Sequence, residues 1–351
     1  MSDLPAGITA HDTQTSRLRM RWYESGSPDG IPVVLLHGNL STGRFYDQVM
    51  IAPDMFRFIA PDMRGFGRTE RVAIDATRGL RDWADDTQAL LDAIGIDRPV
   101  HLAGWSTGGA AIAAFAKDRP VSSLTFIDPV SPYGFGGVKL NGTPCFPDWS
   151  GSGGGTGNPE FTSRIASGDR GEDSPFSPRN VIESSYWSPE FEVDPAWLDV
   201  LVDEVLLSET GDDGYPGDFT PSENWPGVAP GKRGILNALS GKYCAWADIV
   251  DIDPKPPILW THGTADIVVA DNSAWEMGTL GAAEIVPGWP GADVYPPQQM
   301  VTQLRNVFAK YADNGGRVQT LILEGSGHGC FIDAPEIWAE TFMSFLASAE
   351  G

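Results

Sequence analysis

The chain has 351 residues, 41% of them hydrophobic, enough for one large domain with a well-buried centre. Its 47 acidic and 24 basic side chains leave a formal net charge of −23, which disfavours nucleic acid and anionic membranes as partners and reads first as a solvated acidic surface. The three scattered cysteines, Cys145, Cys244 and Cys330, form neither a disulfide framework nor a zinc-site spacing, so a reducing, cytoplasmic setting without metal or cofactor is expected.

From the start, Met1 to Trp22 lacks a basic segment followed by an apolar run, so nothing argues for export, and no later stretch is apolar enough to span a bilayer. Strand-like runs then alternate with helical patterns: RLRMRWYESG, PVVLLHGN and FRFIAPDMRG, followed by the amphipathic GLRDWADDTQALLDAIG. In that helix Leu80, Trp83, Ala84, Thr87, Leu91 and Ile94 recur at spacings of three or four, and Gly95 stands where a C-terminal cap belongs. PVHLAGWS and SLTFIDPV continue the alternation, which implies a mostly parallel central sheet covered by helices.

After Val130 the rhythm stops. Ser131 to Lys255 is rich in Gly, Pro, Ser, Asp and Trp, with helical patterns only near Pro178–Trp187 and Pro195–Leu207. It reads as one long insertion, giving a core in two parts, 1–130 and 256–351, around residues 131–255. Asp212, Asp213 and Asp218 cluster in TGDDGYPGD, but without the alternating oxygen ligands of a calcium loop they read as a solvated turn. Core patterns resume at PPILWTHGTAD and run through a helix at Gln298–Ala312, the strand VQTLILEGSGHG and the final helix PEIWAETFMSFLAS. Between Val269 and Tyr295 a second irregular excursion is longer than a strand-to-helix turn needs, as loops that shape sites often are.

Chemistry concentrates at strand ends. A serine hydroxyl becomes a nucleophile only beside a base that a third group orients. In Gly104-Trp105-Ser106-Thr107-Gly108-Gly109 the glycines allow the close backbone approach that a sharp strand-to-helix turn demands, and the Thr107 amide at the helix start suits a developing oxyanion. His328 sits between Gly327 and Gly329 after a strand, where a core histidine is not expected, and Asp266 follows the apolar ILW strand.

These segments resemble the α/β-hydrolases. VVLLHGN (33–39) is similar to that family's oxyanion-loop motif, PDMRGFGRT (61–69) to its Asp-x-Arg-Gly turn, GWSTGG to its nucleophile elbow, and GTAD and GSGHG to its acid and histidine loops. The order Ser106, Asp266, His328 is also the family's. The resemblance implies an α/β-hydrolase fold with a lid at 131–255, Ser106 as nucleophile, His328 as base and Asp266 as acid. Asp128, at the end of LTFID, is the competing acid. It further implies backbone oxyanion donors at Asn39 and Thr107, with Leu40 as an alternative register, and His37 holding the oxyanion loop. Thr69 stands where many relatives have serine, and the insertion exceeds a typical lid, so the resemblance carries over to the core and not to specificity.

The insertion's aromatics, Trp149, Trp187, Trp197, Trp225 and Trp246 with Tyr186, Tyr215 and Tyr243, are expected mainly to build its own small core, with some lining an apolar or aromatic acyl or alcohol pocket. Trp105, Leu40 and Trp289 are expected at the pocket, the last because it lies in the excursion after Asp266. The expected activity is hydrolysis of a carboxylic ester or lactone, small and apolar or aromatic, through an acyl-enzyme. The alternatives are carbon–carbon hydrolysis of a diketone-type substrate, then perhydrolysis or aminopeptidase action, then a non-catalytic ligand-binding protein.

Overall fold

The computed structural model describes residues 4–51 and 55–350. Strands β1 (Thr9–Gln14), β2 (Arg19–Gly26), β3 (Ile31–Leu36), β4 (Phe56–Pro61), β5 (His101–Trp105) and β6 (Ser123–Ile127) come from the first part of the chain. β7 (Thr210–Gly211), β8 (Tyr215–Pro216), β9 (Phe219–Pro221) and β10 (Val228–Pro230) are two small ribbons in the 131–255 stretch, and β11 (Ile258–Gly263) and β12 (Val318–Leu323) follow it.

Eight strands form one sheet in the order β1-β2-β4-β3-β5-β6-β11-β12. β1, β2 and β4 pair antiparallel, and every pairing from β4 onward is parallel. β5 and β6 are buried along their whole length, as strands covered on both faces must be, which is why they read as continuous apolar runs. β1 has no apolar alternation and escapes a pattern search; it is held by its ladder to β2.

Helices α1 (Arg81–Ala93) and α2 (Thr107–Asp118) pack on the sheet, and α1 ends as its sequence says, with Gly95 at φ +75° accepting the left-handed turn. Residues 131–255 carry α3 (Pro159–Ser167), α4 (Pro178–Ser185), α5 (Pro195–Val205) and α6 (Ile235–Leu239), two more helices than periodicity suggests. α3 is set by an Asn158 cap on the Phe161 amide and a proline in its first turn, not by a long apolar stripe. Beyond β11 come α7 (Met277–Ala282), α8 (Met300–Asp313), α9 (Cys330–Asp333) and α10 (Pro335–Ala349). No helix among the described residues is long and apolar enough to cross a membrane.

The 131–255 stretch is tied to the sheet layer rather than loosely attached. Trp246 stacks on Phe126 of β6 at 5.2 Å, and Ile74 and Ala76 exchange backbone bonds with Asp213, Lys232 and Gly234. The clustered aspartates are satisfied within the protein: Arg233 pairs with Asp212 and Asp213, and Asp218 accepts from the Lys232 and Arg233 amides. The strongest tie is Glu204 of α5, 1% exposed, which takes the Arg68 guanidinium at 2.9 Å and the Thr42 hydroxyl at 2.9 Å. Beside it Asp62, accepting from the Gly43 and Arg68 amides, is pushed up to about 7 by burial and then by the Glu204 charge.

Breaking such a pair from one side leaves an uncompensated buried charge. Glu204→Ala is therefore expected to lower unfolding free energy by about 2–4 kcal/mol in denaturant titration. The exposed Glu192→Ala control should stay within about 0.5 kcal/mol of wild type.

Candidate active site

The C-terminal ends of β3, β5, β6, β11 and β12 converge on one edge of the sheet, where open α/β sheets hold their sites. Ser106 follows β5 directly and has φ +53° and ψ −113°, a conformation that non-glycine residues rarely adopt. Three backbone bonds hold it there: its amide donates to Ile127, and its carbonyl accepts from Gly109 and Val130. The flanking glycines are required by contact. A Cβ on Gly104 would stand 2.3 Å from the Gly108 carbonyl oxygen, and one on Gly108 would stand 2.1 Å from that of Leu36.

Asp266 and His328 are brought together. His328 Nδ1 lies 2.8 Å from Asp266 Oδ2, and the other carboxylate oxygen accepts the amides of Val268 and Val269 at 2.7 and 3.0 Å. Both residues are buried, at 5% and 3% exposure. With Nδ1–H donated to the carboxylate, Nε2 is left as the basic nitrogen. Ser106 and His328 line the same cavity and share no direct hydrogen bond, a contact that in serine hydrolases commonly tightens only with substrate bound.

Asp128, the competing acid, has a different task. Its carboxylate accepts the Gly263 amide at 2.8 Å and the Cys330 amide at 3.3 Å, so it ties the loop that leads to Asp266 and the loop that follows His328 to the end of β6. Burial and the nearby charge of Asp266 push Asp128 well above the usual carboxylate range. Ligand atoms of Asp128, His262 and Asp266 lie within 4.8 Å of one another, but the carboxylate oxygens already serve backbone amides and His328. The group fits a hydrogen-bonded cluster better than a cation cage.

The oxyanion loop lies against the serine: a Cβ on Gly38 would stand 3.2 Å from that of Ser106. Asn39 and Thr107 line the cavity, and neither amide donates to an acceptor among the described residues; Thr107, as the first residue of α2, has no partner within the helix. Leu40 follows at φ +51°. His37 shapes the loop. Its Nε2 accepts from the Met63 amide at 2.9 Å, which leaves the proton on Nδ1 to donate to the Gly38 carbonyl at 2.7 Å. Burial lowers His37 to about 4.

A cavity of about 400 Å³ opens over Ser106, lined by both oxyanion-loop residues and by side chains of the 131–255 stretch. Phe135, Phe161, Leu236, Leu239, Val268 and Trp275 are among its walls, and no Asp, Glu, Lys or Arg among the described residues lines it. Phe176 and Ile285 also line it and are 39% and 67% exposed, which puts them at its mouth. Trp105 and Leu40 reach the wall as expected, and Trp105 also donates its indole N–H to the His328 carbonyl at 2.7 Å. Trp289 does not. Its indole is turned to the Tyr295 carbonyl at 2.9 Å and packs beside Gly281, so the excursion supplies Trp275 to the cavity instead.

Tyr186, at the end of α4, reads from the sequence only as one of the insertion's aromatics, some of which are expected at the pocket, with no sign of which loops it would touch. Its hydroxyl contacts the carbonyls of Asn39 and Leu40 at 3.2 Å, and its own carbonyl accepts the Gly329 amide at 2.5 Å. One residue thus touches both the oxyanion loop and the histidine loop; a Ser-Tyr-Trp run in an irregular segment carries no signal for that.

Residues 33–341 match the family described as Alpha/beta hydrolase family. Among curated proteins, a proline iminopeptidase of Neisseria gonorrhoeae is 33% identical over 28% of this chain and 32% of its own length. A 2-hydroxy-6-oxo-6-phenylhexa-2,4-dienoate hydrolase of Burkholderia cepacia is 31% identical over 39% and 48%. The chain thus spans about a third to a half of the length of these relatives. A thermophilic esterase from Thermogutta terrifontis superposes with a TM-score of 0.57 at 19% identity, over 98% of this chain and 100% of that one, a likeness of fold.

The buried imidazole of His37 carries a pH signature. Folded, it stays neutral down to about 4, whereas the unfolded chain takes up that proton near 6.5, so its contribution is full above 6.5 and is lost as pH falls towards 4. The stability advantage of wild type over His37→Gln should shrink by roughly 3 kcal/mol across that window in denaturant unfolding.

Proposed function

The chain belongs to the α/β-hydrolase family, and on that footing we propose that it is a serine hydrolase that cleaves a neutral carboxylic ester or lactone. The observation that carries this reading is Ser106, held at positive φ at the mouth of β5 in a cavity it shares with a His328 whose Nδ1 is bound to Asp266.

In this reading Ser106 Oγ attacks the carbonyl carbon while His328 Nε2 takes the hydroxyl proton. Asp266 holds the ring in the tautomer that leaves Nε2 free and stabilises the imidazolium. The tetrahedral oxyanion is met by the amides of Asn39 and Thr107, each such donor contributing about 2–4 kcal/mol to the transition state. His328 then gives its proton to the departing alkoxide as the C–O bond breaks, leaving an ester on Ser106. Water adds to that ester with His328 again as base, and Ser106 regains its proton as the acid leaves. Residues 131–255 act as the lid that closes the cavity.

The uncharged wall favours an ester or lactone over the other chemistries suggested by relatives. A dienoate brings a carboxylate and an amino-terminal proline an ammonium, and burying either without a partner is costly; no Asp, Glu, Lys or Arg among the described residues stands in the wall to meet them. A serine at the turn also differs from an aspartate that would form an alkyl ester with an epoxide.

Ser106→Ala should abolish labelling by a fluorophosphonate and lower ester kcat/KM by about a thousandfold or more. Asp266→Asn should cost about 10⁴ in kcat, and Asp128→Asn about tenfold, through looser loops. The reverse order for the two aspartates would reassign the acid, and a folded protein inert to the fluorophosphonate would remove the hydrolase reading.

A further inference from the structure

Tyr215 stands among the polar side chains of the uncharged cavity wall. It sits in β8, its amide bonded to the Glu209 carbonyl and its ring edge-on to Phe161 at 6.0 Å, and it is only 3% exposed. Buried phenols normally find a hydrogen-bond partner, and the other buried tyrosines here do. Tyr46 donates to the Leu36 carbonyl, Tyr186 to the oxyanion loop, Tyr295 to Gly151 and Tyr311 to Pro256, while Tyr23 receives Arg68. The Tyr215 hydroxyl alone among them has no partner among the described residues, and it lines the cavity over Ser106.

Its position ties it to the reaction centre. Tyr215 lines the same cavity as Ser106 and Tyr186, and the Tyr186 hydroxyl rests on the carbonyls of Asn39 and Leu40. Burial holds the Tyr215 phenol neutral, so it offers an O–H donor and no negative charge. The remaining hydroxyls of the lid wall are occupied locally: Thr156 on the Gly153 carbonyl, and Ser184 on Ser185 and the Val181 carbonyl.

Resting on the serine-hydrolase reading, we infer that Tyr215 is a specificity residue: its hydroxyl donates to a second, non-scissile oxygen of an uncharged ester or lactone. The substrate class is a neutral ester bearing a ketone, amide or ether oxygen a few bonds from the carbonyl that Ser106 attacks. A plain alkyl ester fits the same walls but leaves the phenol unpaired, and a site built to hydrogen-bond a substrate group discriminates against analogues that lack it.

The test uses 4-nitrophenyl hexanoate, its 3-oxa, 4-oxo and 5-oxo analogues, and mono-4-nitrophenyl adipate, with wild type and Tyr215→Phe. In wild type at least one oxygen-bearing analogue should exceed hexanoate in kcat/KM by about tenfold, and the anionic adipate should fall below it. In Tyr215→Phe the ratio of analogue to hexanoate kcat/KM should drop to near one, and continued fluorophosphonate labelling of Ser106 certifies an intact fold. No analogue preferred by wild type, a preference that survives the substitution, or adipate as the best substrate overturns the inference while leaving the hydrolase reading standing. Absence of both labelling and hexanoate turnover in wild type overturns both.

Discussion

The backbone of Ser106 can take its left-handed turn only because β3, β5 and the start of α2 approach to the limit that bare Cα atoms allow. The Gly108 position has no room for a methyl group beneath the Leu36 carbonyl, and Gly104 none beneath Gly108. That contact fixes where α2 begins and hence where the Thr107 amide points. It also sets how closely the Gly38–Asn39 loop lies to the serine. The strain at φ +53° is sustained by the sheet: the Ser106 amide and carbonyl are held by residues that leave β6, so the turn cannot relax without unpairing a buried parallel strand.

Around that turn the loops are organised by carboxylates that perform no chemistry themselves. Asp128 gathers the loops bearing Asp266 and His328, Asp62 binds the oxyanion loop to the Arg-Gly turn, and Glu204 joins both to α5. Each is buried and each accepts backbone or side-chain donors from a different part of the chain. Asp333 does likewise on the other side, accepting the amides of Gly327 and Ser188. The site is therefore positioned less by apolar packing than by a few anchored carboxylates beneath it, which is consistent with its lying on loops rather than on rigid elements.

What was legible in the sequence was whatever repeats a local rule. Strands buried on both faces read as apolar runs, α1 reads from its spacing and its glycine, and Ser106, Asp266 and His328 stand out as polar residues among glycines at strand ends. What was not legible depends on where an irregular segment returns in space. Glu204, Tyr186 and Tyr215 sit in local sequence that any lid might have, and only the path of residues 131–255 brings them to Arg68, to the oxyanion loop and to the cavity. The same applies to the excursion after Asp266. Trp289 was the expected wall residue, but its indole has an acceptor in the Tyr295 carbonyl six residues on, and Trp275 takes the place at the wall.

The absence of charge in the cavity wall bears on the end of the reaction as well as its start. On the proposed ester-hydrolase reading, the reaction turns a neutral molecule into an acid that ionises at neutral pH, inside a chamber that no Lys or Arg among the described residues lines and within a protein whose formal charge is −23. On that reading the product anion finds no charged partner in the wall and leaves a protein whose net charge has its own sign. The walls that admit an uncharged molecule then give its ionised product no reason to stay, and acid accumulating in the medium would compete weakly for the site.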